Sequence, residues 1–234
     1  NIRQGDQVYG STHVFKGYKA SAEYVSVPAN YIAPKPLSLS HEEASALPTG
    51  MITSIRAFRD IANLQKNQTV LINGASGAVG VYATQLAKAL GANITTVSSK
   101  KNFDILKSLG SQKTIDYKKY DFTKVSEKYD VIFDVASTSC FKACRNILKN
   151  SGVYISTNPQ KDVLGFLYAL FSTKKAGYLM ALKGNRHDLE YTTALIERDK
   201  IKPMVGKVFE FNDITQAHEY FEINSGKVVL NMTE

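Results

Sequence analysis

The segment from Thr69 to Gly91 constrains the fold more than any other. Thr69-Val70-Leu71-Ile72 reads as a buried strand, and Ala78 to Leu90 reads as a helix closed by Gly91. Between them lies Asn73-Gly74-Ala75-Ser76-Gly77-Ala78-Val79-Gly80. A glycine-rich turn between a strand and a helix of these lengths is the opening of a βαβ unit. Gly74 permits a sharp exit from the strand, Gly77 lets the backbone approach a pyrophosphate, and Gly80 lets helix and strand pack closely. The helix N-terminus then offers unpaired N–H groups and a partial positive charge to phosphates. The spacing is G-x-x-G-x-x-G. It predicts a dinucleotide site; the competing reading is a turn whose glycines serve packing alone.

The flanking sequence repeats the same alternation. Asn93 to Ser98 is a strand, Asn102 to Leu109 a helix closed by Gly110, and Thr114-Ile115 a short strand. Asp130 to Asp134 is a strand, Phe141 to Leu148 a helix, and Val153 to Ser156 a strand. Short apolar runs alternating with helices imply a parallel sheet covered on both faces, a doubly wound α/β fold. Before this region the pattern is strand-like, with Val8-Tyr9, Ala22 to Val27 and Tyr31-Ile32 punctuated by Gly10, Gly17 and Pro28. Ser40-His41-Glu42-Glu43 carries an N-cap serine with a glutamate three residues on, the signature of a helix start. Pro48 is expected to interrupt that helix, and Met51 to Ala62 to form the next. After the alternating region, helices are expected at Asp188–Asp199 and Asp213–Ile223, and strands at Val205–Phe211 and Val228–Met232. Val163 to Leu182 is apolar and glycine-punctuated, and reads as core or a subunit interface.

The second strand bears on which dinucleotide would bind. A site for NAD has an acidic residue about 20 positions past the glycines, gripping the ribose 2′-hydroxyl. Here the strand ends Thr96-Val97-Ser98-Ser99-Lys100-Lys101-Asn102, with no carboxylate before Asp104. Hydroxyls and ammonium groups there would bind a 2′-phosphate by charge-assisted hydrogen bonds, which favours NADPH. The alternative is that Lys100 and Lys101 merely cover a helix start.

Composition excludes several classes. The formal charge is +8, but the lysines form only pairs, such as Lys100–Lys101, Lys118–Lys119 and Lys174–Lys175. That footprint is too diffuse to predict a nucleic-acid partner. Cys140 and Cys144 are the only cysteines, which argues against a disulfide scaffold. The longest apolar stretch, Val163 to Phe171, is far short of a membrane span. A cytoplasmic protein with no membrane partner is the expectation.

These residues resemble a known family, the zinc-free, quinone-oxidoreductase-like branch of the medium-chain dehydrogenases/reductases. The resemblance rests on Ala46-Leu47-Pro48 with Thr53 and Ala57, on Val70 to Gly80, on Leu109-Gly110 with Ile115-Asp116-Tyr117, and on Tyr129 to Asp134. Gly5-Asp6-Gln7-Val8-Tyr9-Gly10 with Ala22-Glu23-Tyr24-Val25 is similar to its first-domain strands, and Gly226 to Leu230 to its C-terminal return strand. The resemblance implies a Rossmann-type sheet plus the remainder of a mostly β, GroES-like substrate domain. It implies boundaries at 1–47 for the substrate-domain remainder, 48–202 for the NADPH-binding domain and 203–234 for the return. Family members carry a further segment before the Gly5-Asp6 equivalent, so the chain is expected to lack its N-terminal part.

The resemblance also implies roles. Thr53 is expected near the nicotinamide, and Gly74, Ser76, Gly77, Ala78, Val79 and Gly80 around the pyrophosphate. Ser98, Ser99, Lys100, Lys101 and Tyr117 should surround the 2′-phosphate; for Tyr117 an ordinary strand-end aromatic is the equal alternative. Ala136 should line the ribose, and Thr157 and Asn158 should approach the nicotinamide. Asp134 reads as a structural strand end and Asn231 as a weak candidate. No catalytic acid is named. No zinc is expected. The first-domain strand leads into Ser11 to Tyr18 without a cysteine, Thr49 stands where a metal ligand would precede Thr53, and His13, His41, His187 and His218 are dispersed. The expected reaction is hydride transfer from NADPH to a quinone or an α,β-unsaturated carbonyl, by a homodimer. The alternatives are an enoyl-thioester reductase on the same scaffold and a non-catalytic, NADPH-binding regulatory protein.

Overall fold

A computed structural model of the chain describes residues 2–13, 21–162, 165, 168, 169, 171–179, 183–223 and 227–232. The chain divides into two compact units, one of residues Asn1–Ile52 with Ala181–Glu234, the other of Thr53–Met180. Most of the expected Val163–Leu182 apolar segment lies outside the described residues.

In the discontinuous unit, β1 (Val8–Gly10) pairs antiparallel with β2 (Ile32–Pro34). The stretch expected as a strand from Ala22 to Val27 is instead irregular, and it is mostly exposed. Its aromatic and β-branched residues therefore have no buried face to occupy: Tyr24 is 89% exposed. Helix α1 (His41–Ser45) begins as expected, with Ser40 and Glu43 completing a reciprocal capping box. Pro48 does not interrupt a helix but opens one, α2 (Pro48–Ile55), which runs on as a π-helical stretch, Arg56–Ile61. Proline's fixed φ and missing N–H suit a first helical turn, where that N–H would have no partner.

In the continuous unit, β3 (Thr69–Asn73) leads to α3 (Gly80–Ala89), β4 (Asn93–Ser98) to α4 (Phe103–Leu109), and then come β5 (Lys113–Asp116) and β6 (Tyr129–Asp134). Helix α5 is only Phe141–Cys144, shorter than expected, because the backbone turns at Arg145–Ile147 and enters β7 (Leu148–Ser156) early. A further strand, β8 (Lys175–Tyr178), was not anticipated. The six strands form one parallel sheet in the order β5-β4-β3-β6-β7-β8. This is the doubly wound order, in which the chain starts in the middle and builds outward in two directions. Val70, Leu71 and Ile72 at its centre are fully buried, each contributing roughly 1.5–3 kcal/mol by apolar burial. Phe58 meets Phe133 edge to face, ring centres 5.7 Å apart.

The remaining elements, α6 (Arg186–Glu197), β9 (Val205–Glu210), α7 (Ile214–Ile223) and β10 (Lys227–Asn231), belong to the discontinuous unit. Helix α6 falls inside the expected 48–202 stretch, yet it packs with residues of the first 52. Tyr9 donates from its hydroxyl to Leu189 O at 2.6 Å, and Arg186 Nε donates to Ile32 O. Strands β9 and β10 pair in parallel.

The two halves of the molecule differ in charge. Residues 53–180 hold 18 Lys and Arg against 8 Asp and Glu, and the other unit holds 11 against 13. The entire positive excess therefore lies in the sheet-bearing unit. Near the amino ends of its strands, Asp130 accepts from Thr69 N at 2.7 Å, Thr69 Oγ1 at 2.8 Å and Lys149 Nζ at 2.7 Å. Burial opposes ionisation of Asp130, but Lys149 and the Thr69 donors outweigh it and hold the carboxyl below its ordinary value. The Lys113 ammonium, 2.6 Å away, does the same for Glu127. For depressed carboxylates the stabilisation is complete above the unfolded pKa, about 4, and is lost as pH falls through the folded one. Thermal melting is thus expected to be flat from pH 7 to 5 and to fall steeply below about 4. Asp130→Asn should make that acid slope shallower; an unchanged slope would exclude this cluster as its source.

Candidate functional site

A crevice of about 700 Å³ opens at the carboxyl ends of β3, β4 and β6. That is where the sheet changes winding direction, since β3 is flanked by β4 on one side and β6 on the other. In open α/β sheets this switch point is where ligands bind, because the connections leave it in opposite directions and cannot fill it.

The floor of the crevice is the turn after β3. Gly74 has φ +80°, and a Cβ there would stand 2.8 Å from Ala136 Cβ. Gly74 N and Ala75 N both donate to Val97 O at 3.2 Å, while Asn73 O accepts from Val135 N and Ala136 N. The turn is thereby tied to both neighbouring strands. At Gly80, a Cβ would lie 2.3 Å from Gly74 O and 2.5 Å from Ala75 Cα, so the absence of a side chain is required for the turn to close. Gly77 differs: it is exposed, and a Cβ there would meet only Gly74 O, at 3.4 Å. The fold itself tolerates a side chain at 77. The backbone N–H groups of Ser76, Ala78 and Val79 donate to nothing among the described residues. Together with the first turn of α3 they form a set of donors that an anion can satisfy. An open cradle beside Gly77 and unpaired amides around it fit a dinucleotide pyrophosphate.

The expected site residues distribute as follows. Gly74, Ser76, Ser98, Tyr117 and Ala136 line the crevice. Ser98 is buried and its hydroxyl donates to Ser99 O. Ser99 Oγ accepts from Asn102 Nδ2. Lys100 and Lys101 are exposed on a short 3₁₀ turn, Lys100–Asn102. Lys100 lines a neighbouring cleft of about 630 Å³ that shares Lys119, Tyr120 and Asp121 with the first. Thr53 is buried in α2. Thr157 and Asn158 follow β7, and Thr157 Oγ1 donates to Val135 O at 3.1 Å. Asn231 ends β10, outside this unit.

Sequence reasoning passed over Lys118, Lys119 and Tyr120, which follow β5 and line the same crevice. The signal was present, a lysine pair directly after the end of β5, the strand next to β4. Asp121, also at the crevice, is engaged: it accepts from Thr123 N and Oγ1 and lies 3.4 Å from Lys124 Nζ. Cys144 is buried and held by Ser139, and burial pushes its thiol up to about 12, so it is inert at neutral pH.

Among the described residues no three of His, Cys, Asp and Glu come together in a way that could hold an ion. No helix among them is long and apolar enough to cross a membrane.

Comparison with known proteins agrees with this geometry. A 2-methylene-furan-3-one reductase of Solanum lycopersicum is 29% identical over 241 residues. So is a chloroplastic NADPH-dependent alkenal/one oxidoreductase of Arabidopsis thaliana. Each match covers 98% of this chain and 58% of the relative, so the chain spans less than two thirds of the length of these proteins. Among solved structures, the quinone oxidoreductase from Coxiella burnetii superposes with a TM-score of 0.90 at 29% identity, covering 100% of this chain and 74% of that one. The profile described as zinc-binding dehydrogenase matches residues 109–230, just over half of the chain. With the doubly wound sheet and its glycine-rich turn, that match establishes that the chain belongs to the zinc-binding dehydrogenase family.

Proposed function

We propose that this chain is part of an NADPH-dependent oxidoreductase that transfers hydride, without zinc, to a quinone or to the β-carbon of an α,β-unsaturated carbonyl. The observation that carries the reading is the switch-point crevice and the glycine turn that borders it: unpaired amides and an open Gly77 in that turn, Lys118 and Lys119 along the crevice, and no carboxylate at the end of β4. Relatives named as alkenal/one and quinone oxidoreductases supply the reaction class.

The bound nicotinamide supplies the hydride. The chain's own residues bind and orient it. The amides of Ser76, Ala78 and Val79 take the pyrophosphate, and Gly74 and Gly80 keep the turn in shape. Ser98, Ser99, Lys100, Lys101 and Tyr117 hold the 2′-phosphate, joined by Lys118 and Lys119. Ala136 borders the ribose, while Thr53, Thr157 and Asn158 stand toward the nicotinamide. Strand β8, paired on one side only among the described residues, is the edge through which we place a homodimer, and the compartment is the cytoplasm.

Titration of the full-length protein with NADPH and NADH, followed by cofactor fluorescence, tests this. NADPH is expected to bind more tightly. Lys100→Ala or Lys101→Ala should lower the NADPH:NADH affinity ratio about tenfold, the loss of one charge-assisted contact of about 1.4 kcal/mol. Equal binding of both dinucleotides would refute the phosphate corner. Binding with no oxidation by any quinone or enone would favour a regulatory NADPH-binding protein.

A further inference from the structure

The last residues of β3 and β6 are neighbours in register, Asn73 opposite Asp134. Asp134 is fully buried. Its Oδ1 accepts from Asn73 Nδ2 at 2.8 Å and from Thr138 N at 3.4 Å. Its Oδ2 accepts from Ser139 N at 2.9 Å and from Tyr154 Oη at 3.0 Å. All four donors are uncharged. Burying a carboxylate costs several kcal/mol unless its acceptor sites are filled. Only an acceptor-only group can take four converging donors; an asparagine would turn its own N–H₂ toward two of them.

What those bonds hold is one wall of the crevice. Residues 135–139 leave β6, and Ala136 and Thr138 face the cavity. Within this loop Ser137 has φ +50°, a left-handed conformation that costs a non-glycine residue about 1 kcal/mol. Asn73, also at the crevice, spends its second N–H on Thr138 Oγ1 at 2.8 Å. One side-chain amide thus joins the carboxylate to the wall, and the carboxylate grips the same wall through two backbone amides.

We infer that Asp134 is a positioning residue which, through Asn73, Thr138 and Ser139, clasps the 135–139 loop to the end of β3 and so sets the shape of the dinucleotide crevice. It touches no ligand itself. Because the wall borders the ribose and not the 2′-phosphate corner, its loss weakens NADPH and NADH equally. The dinucleotide part of this inference rests on the proposed function; the loop-holding part does not.

The test uses the full-length protein, with amide hydrogen exchange at Thr138 and Ser139 and the affinities for NADPH and NADH measured together. Asp134→Asn is expected to speed exchange at both amides at least about tenfold. It should weaken both dinucleotides by a common factor of about ten, leaving their ratio and the KM for the hydride acceptor at saturating NADPH unchanged. The exchanged pair, Asn73→Asp with Asp134→Asn, restores a carboxylate–amide bond between β3 and β6 and should recover part of both losses. Unchanged exchange, or weakened binding with unchanged exchange, overturns the inference. If the single variant does not fold, Tyr154→Phe removes one donor from outside the crevice and should move both readouts severalfold; no movement in either overturns it equally. If the unaltered protein binds neither dinucleotide, the cofactor reading falls, and the exchange measurement still decides whether Asp134 holds the loop.

Discussion

Alanine at position 77 leaves the fold intact and lowers affinity for both dinucleotides at least about 100-fold, equivalent to about 2.7 kcal/mol. A Cβ on Gly77 meets only Gly74 O, at 3.4 Å, which is ordinary van der Waals contact. Its backbone has no positive φ that would penalise a side chain. Gly77→Ala should therefore melt within about 0.5 kcal/mol of the parent, as surface substitutions do. The new methyl occupies the cradle in which the pyrophosphate would lie against the amides of Ser76, Ala78 and Val79. Calorimetric titration alongside a melting curve checks both halves. Unimpaired binding by a folded Gly77→Ala protein would mean that the turn holds no phosphate.

Gly80→Ala produces the opposite pattern. Its Cβ would fall 2.3 Å from Gly74 O and 2.5 and 2.6 Å from the Ala75 backbone, and none of these atoms is the end of a flexible side chain. The turn must open, and opening it strains the bonds from Gly74 N and Ala75 N to Val97 O. Overpacking of this kind costs about 3 kcal/mol, which in a unit of residues 53–180 lowers the melting temperature by about 10 °C. Binding falls as a consequence of the lost turn. The two alanine variants separate a glycine kept for a ligand from one kept for packing, a distinction that the G-x-x-G-x-x-G spacing alone does not make.

The sheet was legible because its signal is redundant. Strands β3 and β6 carry apolar runs, Val70–Ile72 and Val131–Phe133, β4 carries the β-branched run Ile94–Val97, and each is followed by a turn or helix of the right length. Strand β8 was missed because Lys175–Tyr178 carries neither an apolar run nor alternation; its identity comes from pairing with Val153 to Ser156. The Ala22–Val27 expectation failed for the converse reason, since a β-rich composition does not make a strand where no neighbour among the described residues pairs with it. At the crevice, Gly74 and Ser98 were legible from their offsets to strand ends, and Tyr117 from the family resemblance. Lys118 and Lys119 were seen only as a charged pair, because their place at the crevice follows from the path of the chain after β5. Asp134 was recognised as structural, but its partners lie 61, 4, 5 and 20 residues away in sequence, and no local pattern joins them.

The discontinuity of one unit bears on how the chain is made. Residues 53–180 form a unit from a single stretch, whereas its companion needs residues 1–52 and residues beyond 180. Translation at 5–20 residues per second takes roughly 6–25 s to cross that interval. Throughout it, Tyr9 waits for Leu189 O, Ile32 O for Arg186, and the Tyr31 backbone for the close approach of Gly184. Residues 1–52 thus acquire these partners only after the whole sheet-bearing stretch has been made. A nascent chain arrested near residue 180 should present a folded, protease-resistant sheet while residues 1–52 remain unpartnered and open to protease, which is the species a cellular chaperone would meet.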